Sequence, residues 1–180
     1  IQSRRTTLPK RLCGPAPDAT QQRLILEAAA AAPDHDQILP WRFVEVPLAC
    51  RDTLGQAFSA ALLERDPAAT TEEYQQAHDK ATRSPWLLLA VVRTAGEPAS
   101  IAAPERILSA GAAIQNMLLM CTALGLGSSL TSGKAMGSRP LRTLFGLSDE
   151  EQALCFINIG HVLDSRKERP RPETRRYFSV

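Results

Sequence analysis

The chain has 180 residues, of which 44% are hydrophobic and 22% are charged, and its formal net charge at pH 7 is +2. This length suits one domain over residues 1–180 with one sizeable core. The ordinary composition excludes disordered and fibrous classes, and the small charge gives no reason to expect nucleic acid or an anionic membrane as partner. There is neither an 18-residue apolar run nor a signal-peptide pattern, so we expect no membrane association.

The four cysteines do not show the paired spacing that structural zinc requires, so no metal site is expected. Cys121 and Cys155 lie in apolar periodic segments and should be small buried hydrophobic residues. Unpaired, buried cysteines suit a reducing compartment, and we therefore expect a cytoplasmic protein. Hydrolase and metalloenzyme motifs, including the nucleophile elbow and the phosphate loop, do not occur.

The first predicted element is a helix over about 19–31. Asp18 precedes it as an N-cap, and Gln21 completes a capping-box pattern. A polar loop follows, because Pro33 and Pro40 each remove a backbone donor and bias the preceding residue toward extended geometry.

This loop delivers three side chains of different chemistry just before a predicted strand near Phe43. They are the imidazole of His35, the indole of Trp41 and the guanidinium of Arg42. A loop of fixed shape with these groups is suited to hold something flat and anionic.

The middle of the chain predicts two helices and one strand. An amphipathic helix is expected over 51–63, and a polar helical piece over 72–80 should cover the surface or a cleft mouth. The continuous apolar run over 85–92 predicts a strand covered on both faces, in the middle of a sheet.

The longest predicted helix covers 104–124 and is apolar nearly all round, so it should be buried in a core or against another subunit. A dimer interface is the more economical explanation in a chain of this size. The glycines after it lack the third glycine of a dinucleotide fingerprint, and Gly125 is better explained as a helix C-cap. A short strand or turn over 129–133, a helix over 138–145 and a strand over 153–159 complete an α+β sandwich.

Five motifs occur together along the chain. They are Arg4-Arg5-Thr6, the 32–43 loop, Ser109 to Leu119, Ala123 to Ser128, and Arg169-Pro170-Arg171-Pro172. In this order they resemble the nitroreductase family of flavoproteins, above all its small members, and the resemblance covers nearly the whole chain. It implies an α+β, nitroreductase-like fold with a mixed central sheet flanked by helices, in an intertwined homodimer with FMN at each subunit interface.

The resemblance also implies which residues bind FMN. Arg4, Arg5 and Thr6 would meet its phosphate and ribityl chain, and Leu130, Thr131 and Ser132 would form a second contact. His35 would also touch the cofactor, and the terminal Arg171 and Arg169 would reach the phosphate. Leu130 and Thr131 stand where the nearest relatives have tryptophan and arginine, which leaves the flavin's reduction potential and substrate choice open.

The implied activity is a ping-pong oxidoreductase that passes hydride from NADH or NADPH through bound FMN to an electron-poor acceptor, such as a nitroaromatic or a quinone. The flavin would carry the chemistry, so no catalytic side chain is expected. Two alternatives remain open at this point. One is a flavin-binding module without turnover, for storage or sensing, and the other is a plain interaction domain.

Overall fold

The computed structural model describes residues 1–163 and 170–179. Within these residues the chain forms strands and helices joined by loops and short 3₁₀ turns. The strands are β1 (Leu12–Cys13), β2 (Trp41–Glu45), β3 (Trp86–Arg93), β4 (Gly127–Thr131) and β5 (Glu151–Val162). The helices are α1 (Ala19–Ala29), α2 (Arg51–Arg65), α3 (Thr71–His78), α4 (Ala103–Ala123) and α5 (Arg139–Leu144).

The sheet has the strand order β1-β5-β3-β2, and β4 also pairs with β5. All pairs between these strands are antiparallel. In addition, Thr6 and Ser128 form an isolated parallel β-bridge. Central β5 therefore has β3 along one part of its length and β4 beside residues 156–160.

Helices cover both faces of the sheet, and β3 divides its side chains between them. Trp86, Leu88 and Ala90 pack with residues of α1 and α4, whereas Leu87 and Leu89 pack with residues of α2 and α5. This alternation follows from the two-residue period of a strand. Seven of the eight β3 residues are buried, which confirms the predicted strand covered on both faces.

Local signals explain several element boundaries. Asp18 and Gln21 form the predicted capping box of α1, and Ser138 caps α5 by accepting from the backbone of Leu141. Gly125 has φ +73° directly after α4, a backbone conformation that glycine adopts at no steric cost. The strand expected near Phe43 begins at Trp41, and the last strand is longer than predicted at both ends.

The long helix α4 is less uniformly buried than its composition suggests. Met117 and Cys121 are fully buried, but Ile107 and Leu108 are 40% and 73% exposed in the single chain. The helix therefore presents one apolar face to the core and a partly apolar face outward. Across residues 1–163 and 170–179, none of the helices has the length and apolar character needed to cross a bilayer.

Candidate functional site

The N-terminal segment lies beside β4. The backbone N–H of Thr7 donates to the carbonyl oxygen of Ser128 at 2.9 Å, next to the bridge between Thr6 and Ser128. Two motifs that are more than a hundred residues apart in sequence, 4–6 and 130–132, are thereby brought to the same edge of the sheet. This is part of the grouping that the resemblance implied.

Arg171 joins this group from the C-terminal segment. Its Nη2 donates to the carbonyl oxygens of Arg4 at 2.6 Å and Gln2 at 3.2 Å. Desolvation and then repulsion from Arg5 and Arg4 lower the pKa of the Arg171 guanidinium. Three guanidinium groups thus lie within electrostatic range of one another, an arrangement suited to an anion with several oxygens. The predicted Arg169 lies outside the described residues.

Thr131 and its neighbours form an exposed end of β4. Leu130 is 43% exposed, and Thr131 and Ser132 are also exposed. The buried Asn158 of β5 holds this end in place, because its Nδ2 donates to Thr131 Oγ1 at 3.0 Å. Further back, the hydroxyls of Thr7 and Ser129 are buried and have no hydrogen-bond partner among the described residues.

His35 lies in a loop whose shape is set by unusual backbone geometry. Asp36, Gln37 and Leu39 all have positive φ, near 44° to 54°, which is costly for residues other than glycine. The Oδ2 of Asp34 accepts from the backbone N–H of Leu39 at 2.7 Å and braces the turn. This result agrees with the prediction of a loop of fixed shape.

The imidazole of His35 is paired with a carboxylate from another element. Its Nδ1 lies 2.8 Å from Oε2 of Glu105, in the first turn of α4. This hydrogen bond is the largest cause of a raised His35 pKa, and the charge of Asp36 is the second. Glu105 was not singled out from the sequence, since 70 residues separate it from His35 and no motif joins them.

The structure does not bring His35 to the arginine group within one chain. Glu105 fixes His35 at the N-terminal end of α4, whereas β4 starts just after the C-terminal end of that helix. At 1.5 Å per residue, Glu105 and the last residue of α4, Ala123, are about 27 Å apart along the helix axis. The loop also precedes β2, which lies across β3 and β5 from β4, roughly 14 Å away in the plane of the sheet.

Trp41 and Arg42 of the same loop are used within the fold. Trp41 Nε1 donates to Ser109 Oγ of α4 at 3.0 Å. Arg42 Nε donates to Glu151 Oε1 of β5 at 2.7 Å. Both side chains fasten the start of β2 to neighbouring elements. The second ring nitrogen of His35, Nε2, lies 3.9 Å from Oδ1 of Asp36 in the same loop.

A cavity of about 570 Å³ opens beside the exposed end of β4. Thr131 and Ser132 line it, and α3 contributes Glu73, Gln76 and Ala77, so the polar segment predicted over 72–80 does border a cleft. Four cations also line it and were missed by sequence reasoning: Arg65, Lys80, Arg83 and Lys134. No single motif holds them, since they come from three separate places in the chain: the end of α2, the segment before β3 and the residues after β4.

The described residues offer no cluster of histidine, cysteine or acidic side chains suited to a metal ion. Cys121 and Cys155 are buried and unpaired, as predicted. Burial raises the pKa of the Cys121 thiol to about 12 and that of Cys155 to about 11. Neither thiol is therefore an activated nucleophile.

Comparisons with known proteins agree with this architecture. YdjA of Escherichia coli strain K12, provisionally named an NAD(P)H nitroreductase, is 32% identical over 153 residues, covering 83% of this chain and 80% of YdjA. The crystal structure of a nitroreductase-like family protein from Bacillus cereus superposes with a TM-score of 0.83 at 19% identity, covering 98% of this chain and 91% of that one.

A second solved structure is a mutant of the FMN and NADPH-dependent nitroreductase NfnB from sphigopyxis sp. strain HMH. Its TM-score is 0.75 at 18% identity, covering 98% of this chain and 94% of that one. These superpositions show a shared α+β, nitroreductase-like fold. The model of the nitroreductase family matches residues 1–161, and the chain belongs to the nitroreductase family.

Proposed function

We propose that the protein is an FMN-dependent oxidoreductase. In a ping-pong cycle it would take hydride from NADH or NADPH through bound FMN and deliver it to an electron-poor acceptor, such as a nitroaromatic or a quinone. The observation that carries this proposal is the meeting of Arg4, Arg5 and Arg171 beside β4, next to a cavity at the end of the same strand.

The arginine group fits the phosphate of FMN. Guanidinium groups bind phosphate oxygens through paired N–H donors, and the exposed hydroxyl of Thr6 adds a further donor next to them. The unpartnered hydroxyls of Thr7 and Ser129 lie along the same edge. Buried polar atoms without a partner are rare in folded proteins and favour a missing ligand here.

The cavity fits the ring end of such a cofactor. Its volume lies within the usual range of roughly 300–1,000 Å³ for small-molecule sites. Thr131 and Ser132 would border the ring system, and Asn158 would keep Thr131 in position. Bound FMN would supply the electron-transfer chemistry, and the side chains of this chain would hold it, orient the reactants and exclude water.

His35 would reach that cofactor from a second copy of the chain. Within one chain it is held at the far end of α4 by Glu105. The exposed Ile107 and Leu108 on the same helix offer an apolar surface for that second copy. We therefore propose a homodimer with FMN at the subunit interface, in which each site takes arginines from one chain and His35 from the other.

The first test is the colour and reducibility of the purified protein. A yellow protein whose flavin is bleached anaerobically by NADH or NADPH, and recovers its colour on adding a nitroaromatic or quinone, supports the proposal. Flavin that neither nucleotide bleaches would favour a flavin-binding module without turnover. A colourless protein that gains no thermal stability from added FMN would contradict both and favour an interaction domain.

Mixed dimers test the shared site. Arg171→Gln and His35→Ala are each expected to weaken FMN binding in their homodimers. In a heterodimer of the two variants, one site carries both changes and the other carries neither, so about half of the wild-type binding capacity should return. If each chain builds its own complete site, both sites of the heterodimer stay defective and no capacity returns.

A further inference from the structure

The cavity beside β4 is bordered by an excess of positive charge. Arg65 ends α2, Lys80 lies in the 3₁₀ turn before β3, Arg83 directly follows that turn, and Lys134 follows β4. None of these four cations has an ion pair or hydrogen bond with the described residues. Exposed arginines elsewhere do find carboxylates, as in the pair between Arg23 and Glu27 at 2.9 Å.

The carboxylate that lines the cavity does not neutralise these cations. Glu73 Oε2 accepts from the backbone N–H of Thr70 at 2.9 Å and from its hydroxyl at 3.0 Å, in the capping box of α3. These hydrogen bonds lower the pKa of Glu73, backbone donor first, and hold its charge at the start of the helix. The cavity lining therefore has four cations and one carboxylate already engaged.

The inner wall of the cavity is apolar and partly aromatic. Phe58 of α2 and Phe156 of β5 meet edge to face, with ring centroids 5.4 Å apart. Leu62, Leu87 and Met136 extend this wall. An aromatic ring can pack against such side chains with offset or edge geometry, which a polar chain cannot do.

We propose that the part of this cavity left beside the flavin ring binds the acceptor substrate and selects an aromatic carboxylate, with its ring against Phe58 and Phe156 and its anionic group among the four cations. The inference rests on the proposed function, since Thr131 and Ser132 line the same cavity and would place the acceptor next to the flavin. It narrows the substrate class: the acceptor keeps the nitro or quinone group that is reduced and also carries a carboxylate on its ring, whereas a neutral nitroaromatic or quinone is a poorer substrate.

Benzoate and benzamide test the charge preference directly, because they differ in charge and hardly in shape. Their dissociation constants for the purified protein are measured by calorimetry at low salt. Benzoate is expected to bind at least about tenfold more tightly, since hydrogen bonds to charged groups are the stronger ones. The preference should shrink as salt is added, because the cations are exposed and screened.

Single variants Arg65→Gln, Lys80→Gln, Arg83→Gln and Lys134→Gln locate the preference. At least one should reduce the benzoate-to-benzamide ratio several-fold. Arg23→Gln is the matched control, because Arg23 lies on α1 against the opposite face of the sheet and should leave the ratio unchanged. Turnover is then compared for 4-nitrobenzoate and 4-nitrobenzamide, with a higher kcat/KM expected for the acid.

The inference would be overturned by equal binding of the two probes, by a preference that survives all four substitutions, or by displacement of FMN by benzoate. Tighter binding of adenosine 2′,5′-bisphosphate without any benzoate preference would also overturn it, because the cations would then serve the nucleotide donor. Failure of the proposed function looks different. If the protein holds no reducible flavin, the proposed function fails. Calorimetry measures the benzoate-to-benzamide ratio without turnover, so the charge preference of the cavity is tested separately.

Discussion

Nδ1 of His35 lies 2.8 Å from Oε2 of Glu105, although 70 residues separate the two along the chain. The contact links the predicted cofactor loop to the first turn of α4, the helix whose outer face presents Leu108. One helix thus positions the histidine and also offers the apolar surface through which a second copy would bring that histidine to the arginine group.

The pairing of His35 with Glu105 should be visible in a titration. The His35 pKa is raised above its ordinary 6.5, chiefly by the hydrogen bond that His35 donates to Glu105, so Glu105→Gln should move it back toward that value. NMR of the imidazole protons measures this shift. Glu27→Gln, on α1, is the control and should leave His35 unchanged; an unshifted pKa in Glu105→Gln would show that the contact is not formed in solution.

The same pair sets a pH window for loop order. Because the His35 pKa is raised, its contribution to stability is fully present below 6.5 and is lost as the pH rises through the raised value. Because the hydrogen bond from His35 lowers the Glu105 pKa, the contribution of Glu105 is present above 4.5 and is lost as the pH falls through the lowered value. Hydrogen exchange at residues 34–39 should therefore be slowest between about 4.5 and 6.5, relative to Glu105→Gln. Equal protection in both proteins at all pH values would contradict this expectation.

Two neighbours in one loop should differ in their effect on flavin. His35→Ala is expected to weaken FMN retention, because Nε2 of this exposed imidazole lies 3.9 Å from Oδ1 of Asp36 in the same loop and is not used to fasten the loop to another described element. Arg42→Ala removes the ion pair with Glu151 and should have the smaller effect on FMN. Flavin released on dilution, followed by fluorescence, gives the comparison, and equal release from both variants would mean that the roles in this loop are assigned wrongly.

Arg171 should be important for cofactor affinity. Arg171→Gln removes one of the three guanidinium groups beside β4 and is expected to weaken FMN binding by about 10- to 100-fold, the usual scale for a hydrogen bond to a charged group. Arg175→Gln is the matched control in the same segment, because Arg175 pairs with Glu173 instead. Fluorescence titration of the flavin-free proteins measures the FMN affinity of both variants. Identical affinities would show that Arg171 does not contribute to FMN binding.

Leu108 should report on association between chains. Leu108→Glu places a charge on the outer face of α4 and is expected to favour the monomer, without a large loss of folding stability in the single chain. Leu48→Glu is a close control, because both leucines are 73% exposed but Leu48 precedes α2. Sedimentation velocity distinguishes the species, and a dimer unaffected by Leu108→Glu would place the interface elsewhere.

Local sequence patterns predict much of the fold. The apolar run over 85–92 predicts the central strand because a strand covered on both faces has no polar side. Asp18 with Gln21, Gly125 and Ser138 mark helix ends, since each satisfies backbone groups within a few residues of itself. These features depend on neighbours in sequence, which is why one sequence suffices to find them.

By itself, then, the sequence determined the helices α1 to α5 and the strands β2 to β5, the family resemblance and the motif residues around Arg4, His35 and Thr131. The tertiary structure decided which of these meet: Arg4 and Arg171 do, whereas Glu105 holds His35 near the start of α4, about 27 Å along the helix axis from the end that leads into β4. It also assembled the cationic cavity and paired His35 with Glu105. Such groupings arise when strand pairing and helix packing bring distant segments together, and no local pattern in the chain encodes them.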